Sequence, residues 1–195
     1  MLDQVVLGGE FFRGLELADA EIAEVVRQAR CSRCRGPLHR SDYSRKPRGG
    51  LVAVAGETQS RRISFCCDEC RARSTPPSLR FLGRRVYLEA CVIVASIVSM
   101  RLRGRGEARA VRMATGVPAR TVARWRSWWT AGFRETGVFV ELASRFVGLA
   151  ASQLPRAIFE GISGSVDDRL ERMARWVAPL TTRLVVESRF LRGPA

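Results

Sequence analysis

Cys31-Ser32-Arg33-Cys34 and, after 32 intervening residues, Cys67-Asp68-Glu69-Cys70 are the two stretches that decide how this chain folds. Two cysteines at this spacing can curl a tight turn around one metal ion, each thiolate bonding at about 2.3 Å. Two such turns complete a shell of four sulfurs, the closed geometry of a structural zinc site, with no position left for a reacting water. Between the pairs lie Gly49-Gly50 and two short strand-like pieces, residues 51–55 and 61–66, which suit a ribbon of hairpins. Gly36 follows the first pair, where a turn of this kind often needs positive φ. The segment is poor in large apolar residues, so metal binding should supply much of its folding free energy. Iron fits the same four sulfurs.

Three neighbours leave alternatives open. Cys66 adjoins Cys67 and either can be the third ligand; Cys67 preserves the two-residue spacing and is preferred. His39, the single histidine, could replace a cysteine, although a surface or phosphate-contacting role suits it better. Cys91 sits in an apolar run and reads as a small buried residue. A disulfide or redox cluster is disfavoured, because residues 1–10 lack the basic and apolar regions of a signal peptide and a cytoplasmic chain keeps its thiols reduced. The longest apolar run, residues 91–98, is too short to cross a bilayer, which needs about 20 residues, so no membrane partner is expected.

Charge is distributed unevenly. The net charge is +14, and 32 of the 33 basic residues are arginine, with Lys46 the single lysine. Residues 30–126 hold 22 basic and 6 acidic residues, whereas the remaining segments hold 11 and 13. The excess therefore lies in one central half of the chain. Codon usage can explain arginine over lysine but not cations over anions. A concentrated cationic field suits a polyanion, and nucleic acid is the commonest one.

Composition divides the chain into four blocks. Residues 1–30 hold a packing helix over 19–30, with Ile22, Val25 and Val26 on one side and Asp19 able to cap its start. Residues 31–80 form the ribbon. Residues 81–132 read as helices, the first over 83–100, where length and the polar Glu89, Ser96 and Ser99 favour a buried helix over a strand. Residues 133–195 are amphipathic helix broken at Pro155, at 161–164 and at Pro179. The expected fold class is mainly α with a small β zinc ribbon, a helix-turn-helix and C-terminal helices.

Residues 107–115, Gly116-Val117-Pro118 and 119–129 follow a helix, tight turn, helix pattern. Gly116 can end the first helix in a left-handed turn, and Pro118 can open the second, where its missing N–H costs nothing. In that second helix Val122, Trp125 and Trp129 recur on one side, leaving Arg120 and Arg124 opposite and Thr121 near the amino end. A recognition helix in a major groove needs that arrangement. The rival reading is a helical hairpin with a solvated arginine face.

The sequence Phe65-Cys-Cys-Asp-Glu-Cys-Arg-Ala-Arg-Ser-Thr75, an apolar helix, and then Gly116-Val-Pro-Ala-Arg-Thr-Val-Ala-Arg-Trp125 resemble the amino-terminal half of zinc-ribbon insertion-sequence transposases. The resemblance spans about residues 31–130 and implies DNA recognition by the ribbon and the second helix. Pro118 stands where that family's turn usually has serine, and no catalytic domain is legible after the helices.

Strand transfer needs about three carboxylates holding paired divalent ions. The acids after Trp129 lie in helical sequence, and Asp167-Asp168 suits a helix start before Leu170. The expectation is therefore a non-enzymatic protein of the cytoplasm that binds double-stranded DNA with structural Zn2+. Arg120, Thr121 and Arg124 would read bases, while Arg45, Lys46, Arg48, Arg61, Arg62, Arg84 and Arg85 would grip the backbone. The setting expected is a mobile element, as accessory or regulatory factor beside a separate transposase or recombinase. The alternatives are a zinc-ribbon protein–protein adaptor in a transcription or recombination complex and a minimal nuclease. Apolar faces in the last block are candidates for a homodimer or partner surface.

Overall fold

A computed structural model describes residues 7–48, 57–82, 87–101, 109, 111–113, 115–146 and 148–181. The order of elements is α1 (Gly9–Gln28), β1 (Leu38–Arg40), β2 (Tyr43–Ser44), β3 (Arg61–Arg62), β4 (Phe65–Cys67), β5 (Arg73–Ser74), α2 (Glu89–Arg101), α3 (Ala119–Thr130), α4 (Gly137–Ala143), α5 (Arg156–Gly161) and α6 (Val166–Val177). Short 3-10 turns join several of them, notably Glu57–Ser60 and Ala178–Thr181. The chain is thus mainly helical with small antiparallel sheets, as its composition suggested. Residues 51–55, taken from sequence as a strand, lie outside the described residues.

The strands form two ribbons. In one, β4 is central, with β1 and β5 antiparallel on either side; in the other, β2 pairs with β3. Successive side chains on a strand face opposite sides. That alternation turns Phe65 and Cys67 inward onto Leu38 and Ile63, and it sets Cys66 beside His39 and Arg73 on the outer face.

Two cores share one helix. The amino-terminal part of α1 buries Phe11, Phe12, Leu15, Ala18 and Ile22 in the main helical core. Its last turns bury Ala23 and Val26 in a smaller core with Cys31, Leu38, Phe65 and Cys67. The helix is therefore longer than its sequence suggested, because Phe11, Phe12 and Leu15 continue the apolar stripe backwards at helical spacing.

Asp19 does not cap that helix. It lies mid-helix, where it is 1 % exposed and accepts bonds from Ser78 Oγ and Leu79 N, each at 2.6 Å, and from Arg80 Nε at 2.8 Å. Arg80 also donates to Arg61 O (3.3 Å), and Ser78 N donates to Thr181 Oγ1 (2.9 Å). One buried polar knot therefore ties α1, the ribbon and the turn after α6 together.

The main core is built around α2, which is buried on every side from Glu89 to Ser99, as a central helix should be. Its hydroxyls are satisfied locally: Ser96 Oγ donates to Val92 O (2.7 Å) and Ser99 Oγ to Ser96 O (2.8 Å). The helix starts at Glu89, after a bridge between Phe81 and Leu88, rather than at residue 83. Against it packs α3, whose Trp129 Nε1 donates to Ser96 Oγ (3.2 Å). The last helices start where sequence chemistry allows. Thr136 caps α4, and Ser165 caps α6 in a capping box with Asp168.

Candidate metal centre and cationic surface

The four cysteine sulfurs of Cys31, Cys34, Cys67 and Cys70 lie within 4.8 Å of one another. Across the knuckles, Cys31 Sγ is 3.6 Å from Cys70 Sγ and Cys34 Sγ is 3.4 Å from Cys67 Sγ. A tetrahedron with bonds of about 2.3 Å has edges of about 3.8 Å, so the cluster fits a metal ion and is compatible with structural zinc. Among the described residues it is the one group of three or more His, Cys, Asp or Glu side chains close enough to share an ion.

Local backbone geometry explains why the sulfurs converge. In the first knuckle Cys31 N donates to Gly36 O (3.0 Å) and Arg35 N to Cys31 O (2.9 Å); in the second, Cys67 N donates to Ala72 O (2.9 Å) and Arg71 N to Cys67 O (3.1 Å). The left-handed residue is Arg35 in one and Arg71 in the other. Gly36 is not needed for positive φ, contrary to expectation. It is needed for space: a Cβ there would stand 2.7 Å from Glu69 Cδ and 3.0 Å from Cys67 Sγ.

Amides aimed at sulfur favour charge on one ligand. The backbone N–H groups of Cys34 and Arg33 bring the Cys31 thiol down to about 6. The Gly36 amide pulls Cys34 the same way, but proton-sharing with Cys67 and Cys70 outweighs it and pushes that thiol up to about 12. A cation is the charge that would let all four ionise together.

The open alternatives close on position. Cys66, on the outward side of β4, donates to Cys67 O and Arg71 O and stays outside the cluster, as does exposed His39. Cys91 is buried in α2, and burial pushes its thiol up to about 12.

The predicted contact residues are placed unequally. Arg120 and Arg124 are exposed on α3, opposite buried Val122, Trp125 and Trp129. Thr121 is 9 % exposed and its hydroxyl faces Arg124 Nη2 (3.4 Å), so it is a support for that arginine and not a free base-reading group. Lys46, Arg48 and Arg61 are exposed, and Arg45 is half-buried with its guanidinium 5.6 Å from the Phe81 ring centroid. Arg62 cannot grip a backbone: it is 2 % exposed and donates to Pro76 O and to Pro77 O (3.5 Å). Arg84 and Arg85 lie outside the described residues.

Pairing separates the cations further. Arg27, Arg156 and Arg175 each meet a glutamate one turn away on their own helix, and Arg145, in the turn just past α4, meets Glu141. Arg33, Arg35, Arg71 and Arg73 on the ribbon, and Arg109, Arg112, Arg120 and Arg124 at and before α3, have no ion-pair partner among the described residues, and neither do Arg13 on α1 and Arg169 and Arg172 on α6. The ribbon arginines after each Cys-x-x-Cys were missed from sequence; their repetition at the same place was the available signal. The two regions also touch, since Arg48 bridges Tyr87, whose ring stands edge-on to Trp125 at 5.1 Å.

Four carboxylates after α3 have partners inside the fold. Glu141, Glu160 and Glu171 pair with arginines, and the Ser165 hydroxyl and amide hold Asp168 below the usual carboxylate range. No helix among the described residues is long and apolar enough to cross a membrane. No protein-family model, curated protein or solved structure matches the chain.

Proposed function

We propose that the protein binds duplex DNA through the exposed face of α3 and the cationic strip of the ribbon, with zinc holding the ribbon in shape. In this reading the helical stretch through Arg109, residues 111–113 and Thr115, the turn at Gly116 (φ 66°) and α3 make a helix-turn-helix. Val117, fully buried, plugs the space between the two helices. Arg120 and Arg124 reach bases from α3, while Lys46, Arg48 and Arg61 hold phosphates. The observation that carries the reading is a set of exposed arginines, Arg33, Arg35, Arg71 and Arg73 on the ribbon and Arg120 and Arg124 on α3, that have no ion-pair partner among the described residues and so keep their charge for an outside anion.

Any chemistry belongs to another protein. The setting that suits such a chain is a mobile element, where it acts as an accessory or regulatory factor beside a separate transposase or recombinase. Binding to a pool of random duplexes tests the reading. Arg124→Ala should relax sequence preference, and Arg61→Ala should weaken all sequences alike and make the salt slope shallower by about 0.9. Identical effects of the two changes contradict these roles. An adaptor would show no shift of free DNA without its protein partner.

A further inference from the structure

Three described residues other than glycine hold a positive φ: Arg30 (62°), Arg35 (64°) and Arg71 (58°). All are arginines, and all border the cysteine cluster, Arg30 before Cys31 and the other two after Cys34 and Cys70. The knuckles match bond for bond, and Arg35 and Arg71 hold the same place in each. A left-handed backbone is uncommon for any residue with a Cβ. Glycine adopts it freely, and asparagine, aspartate and histidine adopt it more readily than other types.

Arginine has no such ease, and among the described residues nothing bonds to these side chains. Both Arg35 and Arg71 are exposed, and neither guanidinium has a hydrogen-bond or ion-pair partner among the described residues. The nearby acids of the second knuckle, Asp68 and Glu69, are exposed and make no ion pair with them. Strain that is kept where the side chain does nothing for the fold points to a role outside it.

We propose that Arg35 and Arg71 are a matched pair of phosphate clamps, one on each knuckle, that grip the sugar-phosphate backbone of DNA. The proposal rests on the DNA-binding reading above and extends it from α3 to the metal-bearing tip. A guanidinium presents a planar fork that suits a phosphate's two oxygens. The tip stands where α1 has left the main core: from Ile22, its last residue there, to its end at Gln28 the helical rise is about 9 Å. Contact at the tip would therefore lengthen the stretch of duplex that the protein covers.

The test compares wild type with Arg35→Gly/Arg71→Gly, which removes both the charges and the backbone strain, and with Arg35→Gln/Arg71→Gln, which removes the charges and keeps a Cβ. Metal content and melting temperature are read first, then duplex affinity against salt. Both variants should hold one metal per chain and melt no lower than a few degrees below wild type. Their log–log salt slopes should each be shallower than wild type by about 1.8, or 0.9 for each of two lost phosphates.

An unchanged slope in either folded variant overturns the clamp and leaves the α3 reading standing. A wild-type chain with no salt-dependent duplex binding overturns both. Loss of binding to vesicles of anionic phospholipid, with the duplex slope intact, overturns the DNA assignment of these two arginines.

Discussion

Replacing Asp19 by alanine should cost about 3–5 kcal/mol of folding stability, because it strands a buried charge. Arg80 is 2 % exposed, and Asp19 is its close anion at 2.8 Å; Glu16 approaches only to 3.7 Å from the solvent side. The Asp19 carboxylate also accepts from Ser78 Oγ and Leu79 N, so its loss leaves a buried hydroxyl and a buried amide without that acceptor. Glu16 can swing closer and hold the loss to the lower end of the range.

For a chain of this size each kcal/mol is worth about 2–4 °C, so the melting temperature should fall by about 6–20 °C. Urea denaturation followed by circular dichroism gives the free energy. The pair Asp19→Ala with Arg80→Met separates charge from packing. Removing both partners should recover at least half of the single-mutant loss, because the uncompensated charge is gone. A single-mutant loss below about 1 kcal/mol, or a double mutant no better than the single, would refute the buried pair as the tie between α1, the ribbon and the C-terminal turn.

Two further outcomes follow from the metal centre. Gly36→Ala should leave a folded protein that yields its metal to a competing chelator at least tenfold faster, since the new Cβ crowds Cys67 Sγ at 3.0 Å while exposed Glu69 can move aside; an unchanged release rate contradicts the close approach. Cys66→Ser should keep one metal per chain by elemental analysis and Cys67→Ser should lose it, and the opposite pattern would exchange the two assignments.

The features legible in sequence were those written in local spacing. The paired cysteines, the Val122–Trp125–Trp129 stripe and the helix start at Asp167-Asp168 each follow from periodicity or cap chemistry over a few residues. What escaped depended on partners far along the chain. Asp19 looked like a cap because its acceptor role depends on Arg80, 61 residues away. Arg62 looked like a free cation because nothing local shows the carbonyls of Pro76 and Pro77 closing over it. Thr121 was misplaced by less: one residue before Val122, it falls at the edge of the buried stripe rather than on the open face. Gly36 was singled out correctly for the wrong reason, since a sulfur arriving from residue 67 is invisible in the turn itself.

The central claim is that a four-sulfur clamp presents unpaired arginines, together with those of α3, to a polyanion. Duplex affinity measured from about 50 to 200 mM salt, on metal-loaded protein and on the same sample after chelation, tests it most directly. With four or more phosphate contacts, the loaded protein should show a log–log slope of about −3.6 or steeper, and stripping the metal should abolish most of the binding. A slope near zero, or a metal-free protein that keeps its full fold and its grip, would contradict it.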